Sequence, residues 1–308
     1  MVWLIVAAVA VLFALLSVFI YFESRGFVTE NYSFDSERSG EDFGFVFFSD
    51  LHETCFGENN AELLRAIDEC GCDYVFIGGD VITSKCDFSP EFDTTIEFLK
   101  QLCARRKVIF AYGNHERALC DIRDCEAQYR KGKKDDSDIK RIDVLEKSLI
   151  DSGAILLRDD HYDIPGTDIR VFGLDLSLDY FRRLVRRKPE DGYIDSLLGP
   201  CDKEKFSILM AHDPEHIKEY ADWGCNLVLA GHLHGGIVRV PGLGGVISPQ
   251  IRIFPKYDSG VFKVGRTDML LTRGIGTHTI PIRVFNKAEI CKVTIHYKKT
   301  ESKDESKC

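Results

Sequence analysis

Five short polar segments, each closing an apolar run, constrain this chain more than any other feature. They are SDLH (49–52), GGD (78–80), GNHE (113–116), AHD (211–213) and GHLH (231–234). The runs that lead into them are FGFVFFS, DYVFIG, KVIFAYG, FSILMA and CNLVLAG. Short continuous apolar runs of this kind read as strands covered on both faces. Helical patterns separate them. One lies at about 59–69, with Leu63, Leu64 and Ile67 on one face. A second is opened by Ser89-Pro90-Glu91 and runs to Cys103. A third carries Ile139, Ile142, Leu145 and Leu149 and is ended by Gly153, and a fourth spans 214–222. Further strands are expected at 154–158, 169–174, 260–264, 268–273 and 288–298. This alternation predicts an α/β domain whose second half is mixed and partly antiparallel. In such sheets ligands bind beyond the carboxyl ends of the strands, which is where all five segments fall.

Those segments hold seven potential metal ligands in order: Asp50, His52, Asp80, Asn114, His212, His232 and His234. Two divalent cations about 3.5–4 Å apart suit phosphoester hydrolysis, because together they hold the attacking and leaving oxygens. Such a site needs a carboxylate able to bridge, hard oxygen donors and several imidazoles. Asp-x-His is expected to place both side chains on one side of an extended stretch, since side-chain direction repeats every two residues. His232 and His234 repeat that spacing. Asn114 adds a carbonyl donor without charge; its plain alternative is a helix cap. The neighbouring glycines allow tight turns and close backbone approach. Taken singly each segment is a weak signal; five in order, each after a strand, are a strong one.

The formal charge of −9 argues against a sequence-independent nucleic-acid binder, which needs a basic face. It does not argue against an anionic substrate, because bound cations would dominate the local field. Residues 1–22, MVWLIVAAVAVLFALLSVFIYF, contain no charged side chain. As a helix this run is roughly 33 Å long, enough to cross a bilayer core. It lacks the basic start and small-residue site of a cleaved signal peptide, so it reads as a transmembrane anchor. Phe19, Tyr21 and Phe22 suit the interface, and Arg25 and Arg38 lean towards a cytoplasmic C-terminus. Residues 23–42 read as a tether in which Phe27 to Phe34 could form an edge strand, 43–298 as the domain, and 299–308 as a disordered tail. Eleven scattered cysteines, an odd count without a CxxC pair, read as reduced thiols rather than a disulfide framework.

The segments D-x-H, G-D, G-N-H-E, H and G-H-x-H, in this order, resemble the calcineurin-like metallophosphoesterase superfamily over roughly residues 43–275. The stretch GHLHGGIVRVPGLGGVI…FPKYDSGVF…RGIGT resembles its membrane-anchored bacterial branch. The resemblance implies a four-layer α/β/β/α sandwich of two mixed sheets. It implies that Asp50, His52 and His234 hold one ion, that Asn114, His212 and His232 hold the other, and that Asp80 bridges. It also implies that His115 steadies the phosphate or protonates the leaving group, with Glu116 behind it. The reaction so implied is in-line attack on phosphorus by a hydroxide between the ions. A donor set of His, Asp and Asn without thiolate suits Mn, Fe, Zn, Co or Ni.

Other features carry less. The basic stretch FRRLVRRK (181–188) could meet an anionic substrate or lipid headgroups, but a solvated face is the plainer reading. His278 reads as a loop histidine, and His161, His216 and His296 as structural. Arg273 follows a late strand and could face the site. The expected partner is a phosphate-ester substrate, which an anchor at the bilayer surface makes compatible with a lipid-linked or envelope precursor. The rival reading is a catalytically silent scaffold that keeps the fold and binds a protein. That reading expects lost ligands, and none of the seven is missing.

Overall fold

In the computed structural model the apolar runs become two six-stranded sheets packed face to face. The structure describes residues 1–84, 88–129, 136–182, 187–236, 238–240, 244–247, 254–277 and 282–299. His278, Arg183, Arg186 and the tail from residue 300 lie outside these residues.

The helices are α1 (Val2–Arg25), α2 (Ala61–Glu69), α3 (Pro90–Cys103), α4 (Asn114–Tyr129), α5 (Asp136–Asp151), α6 (Tyr193–Leu198) and α7 (Ile217–Trp223). The strands of the first half are β1 (Phe27–Ser39), β2 (Phe43–Phe48), β3 (Tyr74–Ile77), β4 (Lys107–Ala111), β5 (Ile155–Leu157), β6 (Asp160–Asp163) and β7 (Ile169–Leu174). Those of the second half are β8 (Phe206–Ala211), β9 (Leu227–Ala230), β10 (Val238–Val240), β11 (Gly244–Ile247), β12 (Gly260–Val264), β13 (Thr267–Leu271) and β14 (Ala288–Lys298).

The first sheet runs β1-β14-β2-β3-β4-β5 and the second β12-β13-β9-β8-β7-β6. In the first, β2 through β5 are parallel and β14 is antiparallel to β2. In the second, β7, β8, β9 and β13 are parallel and the two edge strands are antiparallel. Alternation along the strands builds the layers. Phe45, Phe47 and Phe76 point between the sheets, towards Ile208, Met210 and Leu229. Val46, Phe48, Val75 and Ile77 point the other way, against residues of α2, α3 and α5. Leu209 and Ala211 likewise face Ile217, Tyr220 and Trp223 on α7. The result is the four-layer α/β/β/α sandwich. Phe45 and Phe76 stack at its centre with ring centroids 4.3 Å apart. Both sheets present the carboxyl ends of their parallel strands to the same edge of the sandwich.

Several local expectations are corrected. The edge strand expected over Phe27 to Phe34 is present as β1 and runs on to Ser39, so most of the 23–42 stretch read as a tether is a strand paired parallel to β14. Its side chains alternate, with Phe34 and Ser36 buried between exposed neighbours, a period-two pattern masked by its many polar residues. No apolar stripe announced α4, sixteen residues that begin at Asn114 and are polar over most of their length. Strand β6 and helix α6 were not expected from the apolar pattern, and neither was the β10–β11 pair after GHLH. Ser89 caps α3 as expected, its hydroxyl accepting from Phe92 N at 3.1 Å. The N-terminal run is one helix, α1, none of whose residues is buried. It is long and apolar enough to cross a bilayer.

Candidate metal centre

Each sequence-derived ligand sits just past a strand end, and the two sheets bring the Asp and His residues among them close together. Asp50 and His52 follow β2, Asp80 follows β3, Asn114 opens α4 after β4, His212 follows β8, and His232 and His234 follow β9. Three groups of ligand atoms are close enough to share an ion: Asp50, His52 and His234; Asp80, His212 and His232; and His52, Asp80 and His115.

The side chains are aimed by backbone that few residues tolerate. Asp50, His52, Asp80, His232 and His234 all have φ between 45° and 71°. The shared orientation of Asp50 and His52 therefore comes from a left-handed reversal, not from an extended strand as the spacing implied. Left-handed backbone at non-glycine residues costs of order 1–3 kcal/mol each and persists only where its surroundings hold it. Here backbone hydrogen bonds hold it: Asp50 N donates to Gly79 O at 2.9 Å and His52 N to Asp80 O at 3.0 Å. Gly231 lies where a Cβ would collide with Ser49 and Asp50, so the second sheet can close on the first only through a bare backbone.

Distances within the site are short. His52 Nε2 and His234 Nε2 are 3.2 Å apart, and Asp50 Oδ1 lies 3.4 Å from His234 Nε2. Asp80 Oδ2 lies 3.1 Å from His212 Nε2 and 3.9 Å from His52 Nε2, between the two ligand groups. Asp80 Oδ1 accepts from His115 N at 2.8 Å, and the Asp50 carboxylate accepts from Ser49 Oγ and from His232 N. His212 Nδ1 bonds the Gly78 carbonyl at 2.8 Å and His234 Nδ1 that of Gly276 at 3.3 Å. Both imidazoles thus turn Nε2 inward, the outer bond that metal-binding histidines usually make.

The donors fit divalent cations on two further grounds. Asn114 Oδ1 is buried and accepts no hydrogen bond, although a capping asparagine would use that atom on its helix. Buried imidazoles also crowd together with two carboxylates, an arrangement that needs positive charge. The protons reflect this. Burial works against the Asp80 carboxylate, yet His212, His115 and His52 hold it well below the usual range. Burial also opposes an imidazolium at His212, but Asp80 and Asp50 outweigh it and push that residue up to about 10. His232 and His234 go down, chiefly through burial.

His115 has a different place. Its Nδ1 accepts from Ser84 N at 2.8 Å, so the neutral ring carries its proton on Nε2, the atom on the Asp80 side. Behind it Glu116 accepts four backbone N–H bonds, from Asp80 (2.8 Å), Val81 (2.8 Å), Ile82 (3.2 Å) and Gly113 (3.0 Å). Burial and the Asp80 charge push its carboxyl up to about 7, against those donors.

Some contributors were not legible in the sequence. Glu53, next to His52, accepts from Thr83 N at 2.8 Å and from the fully buried Arg141. Arg141 stands four residues before Leu145 and eight before Leu149, so the helical stripe could have pointed inward to it. Arg283 donates to the carbonyls of Arg273, Gly274 and Gly276 at 3.0, 3.2 and 2.6 Å, bracing the loop that faces Asp50. Asn286 donates to the carbonyls of His234 and Gly236. Nothing in their local sequence marks either residue. Phe181 stands beside His232, with ring centroids 5.2 Å apart. Arg273 is turned to Glu289 and Glu30 rather than to the site. Arg182 and Arg187 pair with Asp179 on the surface, and His216 is buried beside Asp213.

A two-sheet sandwich with paired Asp/His ligand groups at one edge defines a metallophosphoesterase-type protein. The chain belongs to the calcineurin-like phosphoesterase family, whose model matches residues 43–236. An uncharacterized metallophosphoesterase of Bacillus subtilis, YkuE, is 26% identical over 82% of this chain and 79% of its own length. The phosphodiesterase YaeI of Escherichia coli is 23% identical over 76% of each chain. A Danio rerio transmembrane protein with a metallophosphoesterase domain is 24% identical over 81% of this chain, which spans only 52% of that protein.

Proposed function

We propose that this protein is a membrane-anchored phosphohydrolase that uses two divalent cations to cleave a phosphodiester, phosphomonoester or pyrophosphate bond. The observation that carries the reading is the placement of Asp80 between two ligand groups, together with the buried, unsatisfied oxygen of Asn114, the residue before His115, whose backbone N–H donates to Asp80. In this assignment Asp50, His52 and His234 hold one ion, Asn114, His212 and His232 the other, and Asp80 serves both. Bound cations would supply Lewis-acid stabilisation of phosphate charge and an activated water. The chain supplies the rest. His115, with its proton on Nε2, donates to a phosphate oxygen or to the departing oxygen. Glu116 ties the Asp80 turn to Gly113, so the two loops keep one geometry. Gly78 and Gly276 orient the imidazoles through their carbonyls.

Manganese is a reasonable first metal to try, since the donor set is hard to borderline. The anchor reading rests on α1 and would place an amphipathic or lipid-linked phosphate ester within reach. The test is hydrolysis of a chromogenic phosphodiester by the full chain with added Mn²⁺. Activity that disappears in Asp80→Ala is expected. No activity in the wild type under any of the candidate metals, or equal activity in the variant, would sink the enzyme reading.

A further inference from the structure

Among the described residues, the carboxyl end of α1 touches the 283–285 segment close to the metal centre and also flanks a cavity lined by Thr54 to Gly57. The Phe19 ring packs on Phe285 with centroids 4.9 Å apart. Arg283 N donates to Ser24 Oγ at 2.9 Å. Only Gly26 separates α1 from β1, so no slack exists between the helix and the sandwich.

This fixes a depth. From Val2 to Phe19 an α-helix rises roughly 26 Å, close to the ~30 Å of a bilayer core. The first charged side chains, Glu23 and Arg25, come after Phe19. Phe19 therefore stands near the edge of the hydrocarbon when α1 is inserted, and Phe285 stands at the same level. Yet Phe285 is 53% exposed and its neighbour Ile282 is 42% exposed. The backbone bridge between Val238 and Val284 continues this rim into β10, where Val240 is 37% exposed. Large apolar side chains uncovered by protein at that level have one available solvent.

We propose that the 282–285 loop is a second bilayer contact, with Ile282 and Phe285 entering the membrane interface beside α1. The inference rests on the reading of α1 as an anchor. Its occupant is the bilayer that holds α1, because the Phe19–Phe285 pair sets one depth for both. The contact would orient the whole sandwich. Arg283, between the two apolar residues, braces the Gly274–Gly276 loop that faces Asp50, so the metal centre would be seated against the membrane rather than held out in water.

The test uses the full chain in vesicles of phosphatidylcholine with or without brominated acyl chains. Wild type reports on Trp3, within α1. Trp3→Phe leaves the buried Trp223 as baseline. In Trp3→Phe/Phe285→Trp, the indole at position 285 is expected to emit further to the blue in vesicles and to lose emission when they are brominated. A melting curve matching the parent establishes that the variant is folded. If Trp3 of the wild type is quenched but position 285 stays at the baseline, the second contact is overturned. If Trp3 itself is not quenched, the anchor reading falls, and this inference with it. Neither result bears on hydrolysis of a soluble phosphodiester, which tests the enzyme reading separately.

Discussion

Gly113→Ala tests whether the site depends on bare backbone between β4 and the Asp80 turn. An added Cβ at Gly113 would lie 2.5 Å from Asp80 N and 2.8 Å from Asp80 Cγ, whereas ordinary contact begins at 3.4 Å. The two loops must therefore separate by roughly 1 Å, and neither atom is the end of a flexible chain. The same movement lengthens the bonds from Asp80 N and Val81 N to Glu116 and carries Asp80 away from the ligands it lies between. Overpacking of this kind costs about 1–3 kcal/mol of stability. A displacement of about 1 Å at reacting groups costs on the order of a hundredfold in rate. Activity should thus fall far more than stability. Gly71→Ala is the control: Gly71 has φ +69° and nothing within 4 Å of a new Cβ. It should lose about 1 kcal/mol to left-handed strain and keep its activity. Phosphodiester hydrolysis, bound metal per chain and melting temperature would be measured on both variants. Activity of Gly113→Ala within twofold of wild type, with full metal content, would refute the reasoning.

Two further outcomes follow from the same geometry. Glu53→Ala removes the carboxylate that faces the fully buried Arg141 and should cost about 3–5 kcal/mol. A melting temperature within about 2 °C of wild type would show that the pair is dispensable. His212 gives a pH dependence. Its folded value, about 10, lies above its ordinary 6.5, so in metal-stripped protein its proton stabilises the fold fully below pH 6.5. That contribution is lost as pH rises through 10, whereas a cation needs the neutral ring. Adding Mn²⁺ to stripped protein at pH 7.5 should release protons, and metal affinity should weaken about tenfold per unit of falling pH for each proton released. Metal uptake without proton release, followed with a pH indicator, would contradict this.

The sequence made the strand ends legible because burial on both faces leaves nothing but apolar letters there, and the five polar segments interrupt those runs abruptly. Asp50, His52, Asp80, Asn114, His212, His232 and His234 were therefore readable as candidates, and the structure brings the Asp and His residues among them close together. β1 was read only in part, over Phe27 to Phe34, since the rest of an edge strand with one exposed face looks like a charged tether. α4 and Arg141 were hidden by charge, because an outer helix layer is polar on most of its surface. Arg283 and Asn286 could not be found at all. Their partners are carbonyl groups, which leave no trace in side-chain spelling.

The left-handed backbone at five of the candidate ligands has a consequence for redesign. Among non-glycine residues, Asp, Asn and His are the ones enriched in that conformation. They are also the ones whose oxygens and imidazoles suit the proposed cations. Coordination chemistry and chain reversal thus draw on the same short alphabet at positions 50, 52, 80, 232 and 234. An exchange such as His52→Cys or Asp80→Val, made to retune or empty the site, changes the folding energy of the loop as well as its chemistry. Exchanges meant to retune the proposed site are more feasible at Asn114, which starts a helix, or at His212, which is absent from the positive-φ set.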